Sequence, residues 1–128
     1  MRLPCPVLDE RGATAVEFAL TAPAFFAILF AVMQGGLLLW TQVGLRHGAE
    51  AAARCASINT TVCSGADAIK NYAAQQAFGL NPPASTFNFS TPTCGNQVSA
   101  TYTFTILTSY FNLPTITLNA QSCFPSQS

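Results

Sequence analysis

An uncharged and largely apolar stretch over residues 18–43 constrains this chain more than any other feature. A helix rises 1.5 Å per residue, so a helix over this stretch would reach roughly 39 Å, enough to cross the hydrocarbon core of a bilayer. Pro23 removes one backbone hydrogen bond from that helix. Trp40 lies near the far end, where an aromatic side chain suits the interface between lipid and water. The stretch therefore predicts a transmembrane helix.

A cleaved secretory signal and an uncleaved anchor are two alternatives for such a stretch. A secretory signal has an apolar region of roughly 7–15 residues followed by a cleavage site of small residues. The stretch here is longer, and residues 48–53 offer the one plausible cleavage site behind it. Arginines lie on both sides, so the charges give little help with orientation.

The residues at the start of the stretch, over 10–26, read ERGATAVEFALTAPAFF. Gly12 is followed, after four residues, by Glu17 and Phe18. A glycine before a scissile bond lets the chain lie extended in a tight peptidase site, because it has no Cβ. An acid at the edge of the hydrocarbon is costly to bury alone and is a functional candidate by default. On the first turn of a helix, however, the same acid could simply favour the helix dipole.

This pattern resembles the processing site of type IV pilin-like precursors, and most closely that of the TadE-like pseudopilins of tight-adherence pili. The resemblance implies that a prepilin-type aspartyl peptidase cuts after Gly12, which makes residues 1–12 a leader and Ala13 the new N-terminus. It also implies that Glu17, the fifth mature residue, pairs with the freed α-amino group of a neighbouring subunit, with Phe18 as the sixth. Other pilin subunits and an inner-membrane assembly platform are then the implied partners.

A helix of small residues follows the apolar stretch, with the sequence GLRHGAEAAARCA over 44–56. It resembles the corresponding helix of TadE-like proteins, and TadF-like proteins share the same layout, so the member of the group stays open. Its alanines recur at helical spacing and indicate either close packing or simply high helix propensity. The strip consists of Ala49, Ala52, Ala53 and Ala56.

The remainder of the chain predicts a short helix followed by strands. Ser64 and Asp67 form a capping-box-like start for a helix over 65–78. Alternating apolar and polar residues then predict three half-buried strands. An antiparallel register that keeps the apolar residues on one face places Tyr102 opposite Ile116 and Ala100 opposite Leu118. The predicted fold class is α+β, a long N-terminal helix (13–56), one short second helix and a small three-stranded antiparallel sheet packed on the long helix, in a module over 57–128.

Five cysteines are present, and removal of the leader would take Cys5 away and leave an even number. An even number suits disulfides in the oxidising periplasm. Four cysteines allow three connectivities. The strand register brings Cys94 and Cys123 close together, which favours that disulfide and, by elimination, one between Cys55 and Cys63.

Other chemistries find little support in the sequence. The cysteines form no Cys-x-x-Cys pair and His47 has no acid or cysteine at ligand spacing, so we expect no metal and place His47 on a solvated helix face. No acid, base or histidine follows Lys70 to activate a nucleophile. The same absence of Lys and Arg argues against nucleic acid as a partner. We expect no cofactor and no enzymatic activity.

The resemblance therefore favours a pseudopilin or minor pilin, involved in pilus assembly or adhesion. It would be held as a single-pass inner-membrane protein, with its C-terminal module in the periplasm, and then incorporated into a surface pilus. The alternative is a periplasmic or surface binding module on an uncleaved anchor. Its contact surface would be a loop over 107–114 that contains Tyr110, Phe111 and Leu113.

Overall fold

The computed structural model describes residues 10–105 and 115–126. The described chain forms two compact units that divide between Gly35 and Gly36. The predicted α+β fold is confirmed. Its elements, in chain order, are helix α1 (Glu10–Ile58), helix α2 (Ala66–Gln75), a 3₁₀-helix (Ala84–Thr86), and strands β1 (Phe87–Ser90), β2 (Asn96–Phe104) and β3 (Ile116–Phe124).

The first unit contains the N-terminal part of α1, and none of its described side chains is buried. α1 is long and apolar enough to cross a membrane, judged by length and composition. The helix continues through Pro23. A helix that is apolar on all sides is found inside a core or a membrane, so the first unit fits membrane anchoring. Its exposed large apolar side chains are Val16, Phe18, Leu20, Phe25, Phe26, Ile28, Leu29, Phe30, Val32 and Met33.

The second unit packs α2 and the C-terminal part of α1 against one face of the sheet. The strands are antiparallel in the order β1-β2-β3. Phe87, Leu45 and Val98 are its largest fully buried side chains. Most of the other core residues are alanines, so the helices and the sheet can approach one another closely. The remaining core members are Ala49, Ala52, Ala53, Cys63, Ile69, Ala73, Ala77, Ala100, Leu118 and Ala120.

The register predicted for β2 and β3 is wrong by two residues. Tyr102 pairs with Leu118 rather than with Ile116, and Ala100 pairs with Ala120 rather than with Leu118. Side chains alternate between the faces of a strand with a period of two, so a shift of two residues leaves the same side chains on the core face. The apolar pattern therefore fixed the face of β3 and left its register undetermined.

The start of α2 also differs from the prediction. Gly65 is the N-cap residue, and no side chain forms a capping hydrogen bond there. The capping role predicted for Ser64 is therefore wrong, because Ser64 lies one residue too early. Asp67 does lie in the first turn, where a carboxylate favours the helix dipole. The helix ends at Gln75, three residues earlier than predicted.

Several predictions fall on residues outside the described ranges. These are most of the leader, including Cys5, and the loop over 107–114 with Tyr110, Phe111 and Leu113. The contact surface of the alternative binding module is thus not part of the described fold.

Candidate functional site

The predicted processing and assembly residues all lie on the first turns of α1. Gly12, Ala13, Glu17 and Phe18 are helical and exposed. A Cβ built at Gly12 would meet nothing within 4 Å, so the helix itself does not require glycine there. Ala13 and Glu17 are four residues apart and therefore lie on one face of the helix, one turn from each other.

The Glu17 side chain stands among exposed apolar neighbours. Phe18 is 71% exposed and Leu20 is 74% exposed. The hydroxyl of Thr21 donates a hydrogen bond to the backbone carbonyl of Glu17 at 3.0 Å, which satisfies that hydroxyl within the helix. Among the residues whose side chains the structure describes, none forms a hydrogen bond or ion pair with the Glu17 carboxylate. The carboxylate is therefore free to pair with a group from another chain.

Two glycines of α1 allow α2 and the segment after it to approach the helix backbone. A Cβ at Gly48 would lie 2.6 Å from the carbonyl oxygen of Ala73, and a Cβ at Gly44 would lie 3.0 Å from that of Ala77. The Gly44 position also meets the side chain of Leu80. The alanine strip has a packing role as well, since Ala49, Ala52 and Ala53 have no exposed surface. The repeat of small residues at 44, 48 and 52 is a signal that the sequence carried for this contact.

One disulfide closes the segment that follows α1. Cys55 and Cys63 are bonded, with their Cα atoms 6.0 Å apart. Asn59 organises the loop between them: its backbone carbonyl accepts from the amide of Cys63 at 3.0 Å, and its side-chain oxygen accepts from the amide of Val62 at 3.2 Å. The disulfide thus joins the last turns of α1 to the segment that connects α1 with α2.

The second disulfide joins Cys94 and Cys123 across the sheet. Cys94 lies in the turn between β1 and β2, where the amide of Gly95 donates to the carbonyl of Pro92 at 3.0 Å. Cys123 lies on β3 opposite Gln97. These two disulfides are the pairings that the sequence favoured, and the observed register still brings Cys94 within reach of Cys123.

His47 is not on a solvated face, contrary to the prediction. Its ring lies 4.2 Å from that of Phe78, measured between centroids, and its Nδ1 atom is buried without a hydrogen-bond partner in the described chain. His47 also lines an open groove of about 510 Å³, which lies between α1, the Cys55–Cys63 loop and α2. Charged, polar and apolar side chains are mixed in its lining, which includes Glu50, Arg54, Ile58 and Tyr72. Within the described residues, no cluster of three metal-ligating side chains is found.

Phe78 is a residue that the sequence pattern did not single out. It follows α2 with a φ of 47°, a left-handed backbone conformation that is uncommon for residues other than glycine. Its ring contacts Trp40 as well as His47, with centroids 6.3 Å and 4.2 Å away. The segment that follows α2 thus places the ring of Phe78 against α1.

Comparison with protein-family models gives a match to part of the chain. The family model for TadE-like proteins matches residues 12–54, which is the segment from the Gly12 position through most of α1. No curated protein and no solved structure gives a significant match to the chain. The match covers Glu17 and the strip residues Ala49, Ala52 and Ala53, and it ends before Ala56 and the first disulfide.

Proposed function

We propose that this chain, whose residues 12–54 match the family model for TadE-like proteins, is a pseudopilin, or minor pilin, of a tight-adherence pilus. The family is a structural one associated with pili, and the anchoring helix fits that role. The observation that carries the proposal is that the family match begins at residue 12, five residues before an acid in the apolar part of α1. Cleavage after Gly12 would make that acid the fifth residue of the mature chain, as the resemblance to pilin-like precursors implies.

In this proposal, a prepilin-type peptidase removes residues 1–12 on the cytoplasmic side of the inner membrane. The module over 57–128 then lies in the periplasm, where its two disulfides form. Within the described part of the chain, no side chain pairs with the Glu17 carboxylate, which supports a role in assembly, because a buried acid in an apolar environment requires a cationic partner. The α-amino group of Ala13 on a neighbouring pilin subunit supplies such a partner.

The proposed partners follow from the same arrangement. The peptidase acts on the segment around Gly12, and other pilin subunits and the inner-membrane assembly platform contact the exposed apolar helix. Apolar side chains on all sides of that helix are suited first to lipid and then to neighbouring helices in a filament. The protein contributes to the structure of the pilus, in assembly or adhesion, and catalyses no reaction.

The proposal is tested by the intact mass of the protein extracted from the membranes of its own cells, measured with and without reduction. We expect a chain that begins at Ala13 and gains four hydrogens on reduction. The protein should also be found in filaments sheared from the cell surface. A chain that still begins at Met1 would rule out processing, and a protein confined to the membrane fraction would favour an uncleaved anchor.

A further inference from the structure

The segment after α2 holds an aromatic ring on the surface of the second unit. Phe78 is 48% exposed, although an aromatic side chain of that size is commonly buried. Its left-handed backbone is followed by Gly79, with a φ of 76°. These two residues turn the chain sharply between α2 and the 3₁₀-helix, and the turn points the ring of Phe78 toward α1.

The ring of Phe78 extends an exposed apolar surface on α1. Trp40 is 60% exposed and lies 6.3 Å from Phe78 between ring centroids. Val43, three residues along the same helix, is 56% exposed and lies on the same side of α1 as Trp40. We call these three residues the Phe78 patch.

The position of Trp40 in the sequence indicates what this patch meets. The uncharged stretch of α1 ends at Val43, and Arg46 is the first charged residue after it. Trp40 therefore belongs to the part of the helix that crosses from hydrocarbon to water when the helix spans a bilayer. Phe78 contacts both Trp40 and His47, so its ring lies beside that same part of α1.

We propose that Phe78 enters the lipid–water interface beside Trp40, so that the membrane surface is the partner of the Phe78 patch. The inference rests on the proposed function, because it requires α1 to span the membrane. Aromatic rings are enriched at this level of a bilayer, where the apolar lipid chains meet the hydrated headgroups. The α2–β1 connection thus holds the module against the membrane before the subunit leaves for the filament.

Contact with lipid also accounts for two features of this segment. Phe78 adopts an unfavourable backbone conformation that asparagine or glycine would adopt more easily, and its ring remains half exposed in the folded module. The backbone conformation is unfavourable in any solvent and the exposed ring is unfavourable in water, and transfer of the ring into the interface offsets both costs.

The test uses full-length protein in phosphatidylcholine vesicles that carry bromine at a shallow position on the acyl chains. Trp40 is the only tryptophan, so its fluorescence reports on the anchor directly. A second protein carries Phe78→Trp in a Trp40→Phe background and reports on the patch. The matched control carries Val62→Trp in the same background. Val62 is exposed to a similar degree (53%) and follows the C-terminal end of α1, away from the uncharged stretch.

We expect the Phe78→Trp protein to be quenched by brominated lipid at least about twofold more strongly than the Val62→Trp control, as an interfacial ring should be. The control should instead be quenched by aqueous iodide. Quenching of Trp40 with no quenching of the Phe78→Trp protein would overturn the inference and leave the anchor intact. If bromine quenches neither Trp40 nor the Phe78→Trp protein, both the inference and the membrane anchor fail.

A second measurement needs no substitution. Vesicles containing a lipid with a photoreactive diazirine at headgroup level should label the unsubstituted protein at Phe78 and Trp40, located by mass spectrometry after digestion. Labelling of Trp40 without Phe78 would contradict the inference. Strong protection of Phe78 by a second protein in the same membrane, with no lipid adduct, would assign the patch to a protein contact instead.

Discussion

Gly48 of α1 lies against the backbone of Ala73 in α2, so closely that a Cβ on Gly48 would be 2.6 Å from the Ala73 carbonyl oxygen. Real Cβ atoms are essentially never found that close to a backbone oxygen. The ring of Phe87 closes the other side of the same position, 3.2 Å from that Cβ. The approach of the two helices, and the placement of β1 beneath them, therefore depend on the missing side chain of one residue.

We expect Gly48→Ala to destabilise the module. The added methyl group forces a backbone shift, which costs about 1–3 kcal/mol in well-packed sites. The gain in helix propensity offsets up to about 1 kcal/mol of this. The measurement is chemical unfolding of the detergent-solubilised protein, followed by near-UV circular dichroism with the disulfides intact.

Gly36→Ala is the matched control for that substitution. Gly36 lies on the same helix, and a Cβ there would meet nothing within 4 Å. The control should leave stability unchanged or raise it by up to about 1 kcal/mol. Equal effects of the two substitutions would contradict the close packing of Gly48.

A second pair of glycines separates backbone strain from close packing. Gly95 has a φ of 120°, and a Cβ there would contact the Phe124 carbonyl oxygen and lie 2.7 Å from the Cα of Pro125. Gly79 has a φ of 76° and open space around it. We expect Gly79→Ala to lower the free energy of unfolding by about 1–2 kcal/mol for the left-handed backbone alone, and Gly95→Ala to lower it by more.

Gly95→Ala should also slow formation of the neighbouring Cys94–Cys123 disulfide, measured by thiol trapping during refolding. A smaller stability loss for Gly95→Ala than for Gly79→Ala would be inconsistent with this packing.

The two disulfides should contribute unequally to stability. They close chain segments with sequence separations of 8 for Cys55–Cys63 and 29 for Cys94–Cys123. Loop-closure entropy then gives about 2.5 kcal/mol for the shorter loop and about 3.5 kcal/mol for the longer one. We expect the double substitution Cys94→Ser and Cys123→Ser to lower the midpoint of denaturant unfolding more than the pair Cys55→Ser and Cys63→Ser. The opposite order would show that the Asn59 loop stabilises the fold by more than its length implies.

Gly12→Val should block removal of the leader. A Cβ at this position meets no described residue within 4 Å, so a processing defect would report on the peptidase site rather than on folding. The readout is the mass of the N-terminal peptide from membrane extracts. Gly12→Ala serves as the conservative control and should be processed more completely than Gly12→Val. Full processing of Gly12→Val would exclude a glycine-dependent cut at this site.

Glu17→Ala should leave processing largely intact and impair incorporation into filaments. The carboxylate has no partner among the described side chains, so its removal breaks no contact with them and changes the charge available to another chain. Glu17→Gln separates charge from size and should fail in the same way, because a neutral amide cannot form an ion pair with an α-amino group. The amount of protein in sheared filaments is compared with the amount in membranes. Normal piliation with Glu17→Gln would eliminate the pairing role.

Much of the fold could be predicted because it depends on local patterns. The uncharged stretch over 18–43 specifies a helix that is long and apolar enough to cross a membrane, and strict alternation around Val98, Ala100 and Tyr102 specifies a strand with one buried face. The cysteine pairing also followed from sequence, since even an approximate register brings Cys94 close to Cys123. None of these requires a distant contact to be known in detail.

Other features could not be read in this way. The true partner of Tyr102 is Leu118, and a period of two cannot distinguish this register from one shifted by two residues. Serine is a residue type that commonly caps helices, but the N-cap position of α2 is occupied by Gly65 rather than by Ser64. His47 became partly buried because Phe78, far along the chain, packs on its ring.

The sequence by itself determined the long apolar helix, the α+β class and the Gly12–Glu17 spacing, because each depends on neighbours along one helix or strand. Only the tertiary structure decided that Gly44 and Gly48 admit the backbone of residues 73–77, and that Phe78 lies beside Trp40. Those contacts join residues more than twenty positions apart. The physical reason is that close packing depends on the space left by missing or turned side chains, and that space exists only after the chain has folded.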